Sequence, residues 1–131
     1  MGVFHVDCTV ENMAAPEKSA IIEHLIVDTG SEFTWIPSET LSAVGVDVRK
    51  RDVEFVMANG EIIARDIGYA ILRVHDFETV DEIVFAQRGD LNLLGAHTLE
   101  GFGVVVDAGG KRLVAAGPHL GAGVAQVGNL R

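Results

Sequence analysis

EHLIVDTGSEFTWIPS, running from Glu23 to Ser38, drives three apolar residues, Leu25, Ile26 and Val27, straight into a carboxylate, with Thr29-Gly30-Ser31 following at once. An aspartate at the end of a buried-looking strand can be a turn residue, an ion-pair partner or one half of a catalytic pair. The segment before it, AIIEHLIV, is apolar almost without interruption, which predicts a strand buried on both faces. The segment after it, SETLSAVG, predicts a short helix with Ser38 as N-cap, Glu39 in the first turn and Gly45 as the stop.

Outward from there the chain reads mostly as strand. Val3 to Glu11 alternates apolar and polar residues with β-branched content, and Pro16 marks a turn. Asn59-Gly60 sits between two β-rich arms and predicts a hairpin from about Val53 to Arg65, continuing as a strand to Val74. VDEIVFAQ and LNLLG read as further strands. AHTLEGFG reads as a helix of two turns or fewer closed by Gly101, and VVVDAGGKRLVA as a hairpin turning at Ala108-Gly109-Gly110. Seven to nine short strands and two small helices, with no internal repeat, describe an all-β domain.

A chain of 131 residues is one domain's length, enough to bury roughly 68% of its unfolded surface without metal or disulfide. Its net charge of −9 and single basic cluster, Arg49-Lys50-Arg51, argue against a nucleic-acid partner, which needs a positive face. Cys8 is the only cysteine, so neither an internal disulfide nor a thiolate metal site is available, and the five histidines show no metal-ligand spacing. No metal and no cofactor is expected. GAGVAQVG near the end mimics a dinucleotide-binding glycine run but lacks the downstream strand and acidic residue.

MGVFHVDC has neither a basic nor an apolar leader region, and Val6 stands where myristoylation needs Ser or Thr, so the expected location is cytoplasmic. The uncharged stretch Leu113–Leu130 is too rich in glycine and polar residues for a membrane span, and no membrane partner is expected. The expected division is a folded domain over 1–117 and a flexible Gly/Ala-rich C-terminal tail over 118–131.

The three apolar residues, Asp-Thr-Gly-Ser, and then Trp35, Pro37 and Ser38 resemble the active-site loop of aspartic proteases. A paired apolar residue plus glycine later in the chain is a second signature of that family, supplied by Leu93, Leu94 and Gly95. Active-site loop, short helix, flap hairpin, long strand, Leu-Leu-Gly, short helix and closing hairpin come in the order of retropepsin-like (retroviral-type) enzymes. The resemblance covers roughly Ile21 to Val114. It implies a single-lobe acid-protease barrel with a flap hairpin and one or two short helices.

The chemistry explains the residue types. Metal-free peptide hydrolysis needs one carboxylate to deprotonate a water and a second to protonate the carbonyl oxygen. Two carboxylates a few ångströms apart share one proton because like charges that close do not both ionise. The resemblance makes Asp28, Thr29 and Gly30 the catalytic triplet, with the Thr29 hydroxyl bonding across two such loops. Ser31 is expected to hydrogen-bond an Asp28 oxygen, and Leu93 and Leu94 to pack under the loop with Gly95 permitting close backbone approach. Met57, Ala58, Asn59 and Gly60 are expected to form the flap tip. Glu32, Phe33, Ile62 and Ile83 are expected to line substrate pockets, and the Glu32 charge points to basic side chains in the substrate.

A later Asp-x-Gly, Asp107-Ala108-Gly109, lacks the loop hydroxyl and precedes a Gly-Gly turn. It reads as a turn residue. The second carboxylate then has to be Asp28 of another copy, so the expected enzyme is a homodimeric aspartic endopeptidase acting on a peptide or protein. The alternative is a dimeric β module of the same fold that binds peptides or a protein partner without cleaving them.

Overall fold

Nine strands and two short helices follow one another along residues 3–121, the part that the computed structural model describes. They are β1 (His5–Glu11), β2 (Ser19–Val27), β3 (Thr34–Pro37), α1 (Ser38–Val44), β4 (Val48–Val56), β5 (Ile62–Val74), β6 (Phe77–Ala86), β7 (Leu93–Leu94), α2 (Ala96–Phe102), β8 (Val104–Asp107) and β9 (Arg112–Ala115). Seven strands hydrogen-bond in the order β1-β2-β7-β3-β6-β5-β4. β1 also pairs with β5, from Thr9↔Arg73 to Glu11↔Ile71, which folds the sheet back on itself. The β2–β7 and β3–β6 contacts are parallel, and β8 and β9 form a separate two-stranded ribbon. The domain is all-β, as expected. Among the described residues no helix is long and apolar enough to cross a membrane.

Side chains alternate across a strand, so neighbouring residues serve different interiors. Ile36, Ile83 and Leu94 enter the larger core, while the adjacent Trp35, Val84 and Leu93 enter a smaller aromatic cluster that also takes Phe33, Phe55 and Ile63. The larger core holds the sheet together; the smaller cluster underlies the site described below.

β2 departs from the two-sided burial expected of it. Ile21 is 67% exposed and Glu23 and His24 face solvent. Ile21 faces out by alternation with Ala20 and Ile22, and Glu23 and His24 lie in a bulge: Val6 opposes Leu25 and Cys8 opposes Ile22, so one residue of β1, Asp7, faces two of β2. His24 takes the left-handed conformation at φ 57, and its amide donates to Asp7 Oδ1 at 3.1 Å. Ala20 and Ile22 pack on the core before the bulge, and Leu25 and Val27 after it. The bulge thus absorbs one residue and leaves Ile26 and Asp28 on the opposite face.

Both helices differ from expectation at one end. Pro37, not Ser38, is the N-cap of α1, with no side-chain cap bond, while Gly45 ends it at φ 82 as expected. α2 runs through Gly101 and stops at Gly103, φ 72. Gly101 is needed for space instead: a Cβ there would meet Thr79 Oγ1 at 2.3 Å. The β8–β9 turn is one residue longer than expected, since Asp107 pairs with Arg112 and Lys111 takes φ 52. Of the expected tail, residues 122–131 lie outside the described residues, as does most of the GAGVAQVG run.

Candidate active site

Asp28 follows the last residue of β2, and its backbone is held on both sides. Its amide donates to the Leu94 carbonyl at 3.0 Å, extending the parallel β2–β7 pairing of Ile26 with Leu93 and Val27 with Leu94. Its carbonyl accepts the Ser31 amide at 3.2 Å, and its Oδ1 accepts the Gly30 amide at 2.9 Å. The carboxylate is therefore fixed by its own turn and half-exposed at the surface. The Ser31 hydroxyl does not reach it, contrary to expectation: it donates to the Phe33 carbonyl at 2.9 Å, while the Gly30 amide serves Oδ1.

The loop after Asp28 is clamped against the start of α2. Ala96 and His97 donate their amides to the Ser31 and Glu32 carbonyls at 2.7 and 3.0 Å. These are helix donors that have no partner within a helix, which explains why α2 begins on Gly95 without a capping side chain. Gly95 lies so close to the loop that a Cβ would fall 2.3 Å from the Phe33 carbonyl oxygen. The close approach expected of Leu93-Leu94-Gly95 is present. Leu93 faces the aromatic cluster and Leu94 the larger core.

β4 and β5 form the hairpin that overhangs this loop. Its turn is longer than a two-residue Asn-Gly loop. The Met57 amide donates to Glu61 O and the Gly60 amide to Met57 O, both at 2.8 Å, and Asn59 Oδ1 accepts the Glu61 amide at 2.9 Å. Only Gly60 takes positive φ, at 85, and Asn59 contributes through its side chain instead. Phe55 stacks edge-on to Phe33 and tilted to Trp35, with centroids 5.5 and 5.1 Å apart, and this ties the hairpin to the loop.

Between hairpin and loop lies a cleft of about 790 Å³. Asp28, Gly30, Ser31, Glu32, Phe33, Leu93, Met57, Ala58 and Asn59 all line it. Thr29 and Gly60 are exposed beside it. Two expected pocket residues are misplaced by one step of alternation. Ile62 points away from the cleft and Ile63 lines it. Ile83 is wholly buried in the larger core, and its neighbour Val84 belongs to the cluster beneath the cleft.

Sequence reasoning did not find the ion pair in the cleft wall. Arg65 Nε and Nη2 donate to Asp90 Oδ2 and Oδ1 at 2.7 and 2.8 Å, and the Gln87 amide adds a bond to Oδ2 at 2.8 Å. The Arg65 guanidinium, with the Gln87 amide, holds the Asp90 carboxyl below the usual carboxylate range. The partners are 25 residues apart, and no local spacing advertises them. Asp107, read as a turn residue, spends its carboxylate on the Gly110 amide and the Arg112 guanidinium at 3.1 Å each. Among the described residues no three His, Cys, Asp or Glu side chains are grouped to hold a metal.

Residues 22–101 match the family model described as gag-polyprotein putative aspartyl protease. A comparison with curated proteins gave no match. The matched stretch takes in the Asp28 loop, the overhanging hairpin and Leu93-Leu94-Gly95 together, more than half of the sequence. The chain belongs to the gag-polyprotein aspartyl protease family.

Proposed function

We propose that the protein is an aspartic endopeptidase, active as a homodimer in which Asp28 of each copy supplies one carboxylate. The observation that carries this reading is the position of Asp28, backbone-held on the floor of a cleft that an overhanging hairpin partly covers. The need for a second copy follows from Asp107 being committed to its own turn and Asp90 to Arg65.

In the proposed reaction the two Asp28 carboxyls share one proton. The ionised one takes a proton from water as the water oxygen bonds to the scissile carbonyl carbon, and the protonated one gives its proton to the carbonyl oxygen. The tetrahedral diol then collapses, the C–N bond breaks, and the leaving nitrogen takes up a proton from the pair. Thr29 bonds across the two loops and Gly30 holds Oδ1. Met57, Ala58, Asn59 and Gly60 act as a flap that shuts water out over an extended peptide.

A peptide-library cleavage assay from pH 3 to 7, with sedimentation of the active species, tests the reading. Asp28→Asn is expected to lower kcat by about a thousandfold, within the range for losing a general acid–base group. Cleavage surviving in Asp28→Asn, or an active monomer, removes the mechanism. If wild type and variant are both dimers and neither cleaves, the non-catalytic peptide-binding module is the function.

A further inference from the structure

Thr34 and Thr98 are the buried polar side chains of the described residues, each with no exposed surface. They stand in one line of hydrogen bonds: the Gly95 amide donates to Thr34 Oγ1 at 2.9 Å, the two hydroxyls lie 2.6 Å apart, and Thr98 Oγ1 donates to Asp81 Oδ2 at 2.8 Å. The direction is forced. An amide can only donate and a carboxylate can only accept, and each hydroxyl has one proton. Thr98 spends its proton on Asp81, so Thr34 donates to Thr98 and accepts from Gly95.

All three bonds point from the segment behind Asp28 towards a carboxylate on β6. Aligned bonds polarise one another, and in a dry interior the terminal charge is felt along the row. At its other end the row finishes one residue from Leu94, whose carbonyl holds the Asp28 amide. Asp81 itself is fixed by the Glu82 amide, which donates to Oδ1 at 2.7 Å. Nothing in the row touches the cleft.

We infer that Asp81, Thr98 and Thr34 are positioning residues that set the height of the Asp28 carboxylate in the cleft, acting through Gly95 and Leu94. The kinetic part of this inference rests on the protease reading; the structural part does not. Thr98→Val keeps the shape and removes the relay, Thr98→Ser keeps the relay, and Asp81→Asn removes the terminal charge. Val10→Ala, a core truncation on β1, serves as a control for general destabilisation.

The test is hydrogen exchange at the Gly95 and Asp28 amides in the full-length protein, with kcat and KM on a cleaved peptide. Thr98→Val is expected to speed exchange at both amides about tenfold beyond Val10→Ala, the size of one lost hydrogen bond. Asp81→Asn is expected to give a smaller rise and Thr98→Ser to stay near wild type. Where peptide is cleaved, kcat falls in Thr98→Val while KM stays within about twofold. Exchange at Asp28 no faster than in Val10→Ala overturns the inference, and so does Thr98→Ser behaving like Thr98→Val. If wild type cleaves nothing, the protease reading fails and the exchange measurement still decides the relay.

Discussion

The Leu94 carbonyl accepts the Asp28 amide hydrogen at 3.0 Å, so the residue proposed to carry the chemistry is anchored by the segment that leads into α2. The next residue, Gly95, has ordinary extended backbone, φ −97, and is glycine for lack of room. A Cβ would meet the Phe33 carbonyl oxygen and carbon at 2.3 and 2.5 Å and Ser31 O at 3.0 Å, all backbone atoms. Gly95→Ala is therefore expected to cost about 2–3 kcal/mol in urea denaturation, an overpacking penalty. It should also lower kcat in conditions where the variant is fully folded. Wild-type stability in Gly95→Ala would contradict the close approach.

The Arg65–Asp90 pair makes stability depend on pH in a defined direction. Asp90 titrates lower in the folded state than unfolded, chiefly through its bonds from Arg65. Its ionised pairing thus stabilises the fold above the unfolded value of ~3.9. That contribution is lost as pH falls through the lower, folded value. With side chains only 19% and 10% exposed, the pair is poorly screened. Asp90→Asn should cost about 2 kcal/mol near neutral pH, and the gap to wild type should narrow as the pH falls below the unfolded value of ~3.9. A gap of constant size across that range would refute the assignment.

If the cleft takes a peptide as proposed, its charge predicts a preference for basic ones. Glu32, Glu54 and Glu61 line it with no ion-pair partner among the described residues, whereas Arg65 is neutralised by Asp90. Peptides with Lys or Arg near the scissile bond should be cleaved faster than neutral ones. Glu32→Gln should lower kcat/KM on the basic peptides by about fivefold and spare the neutral ones, with a narrower difference at high salt. Equal loss on both peptide classes would assign Glu32 a role other than charge recognition.

Cys8 has no exposed surface, and burial pushes its thiol up to about 12. The thiol stays protonated at neutral pH, and the thiolate is the reactive form. An aromatic disulfide reagent should leave native protein unlabelled and react with one thiol per chain once guanidinium unfolds it. Rapid labelling of the native protein would show that β1 detaches from the core.

Local pattern carried most of the architecture. The alternation of β1, the Asn-Gly turn and the apolar runs gave strands close to where they lie, and Asp-Thr-Gly-Ser with Leu-Leu-Gly marked the Asp28 loop and its support. What escaped was set by partners distant in sequence. The start of α2 was legible at Ala96, but the Ser31 and Glu32 carbonyls that accept its first amides were not, since nothing at Gly95 announces them. Ile62 and Ile83 failed as pocket residues because strand parity depends on register, which a single sequence does not display. The Thr34–Thr98–Asp81 row left no trace beyond two threonines in apolar surroundings.

The bulge at His24 gives β2 an unequal tolerance to changes in length. Because two residues there oppose Asp7 alone, losing His24 would restore a regular ladder with Leu25, Val27 and Asp28 still on their present faces. An extra residue a few positions later, between Leu25 and Asp28, has no such slack to fill. It would exchange the two faces and turn the carboxylate inward, towards Ile36 and Leu94. Natural and engineered length variants of this strand should therefore concentrate at Glu23 and His24, and stop short of the three apolar residues that follow.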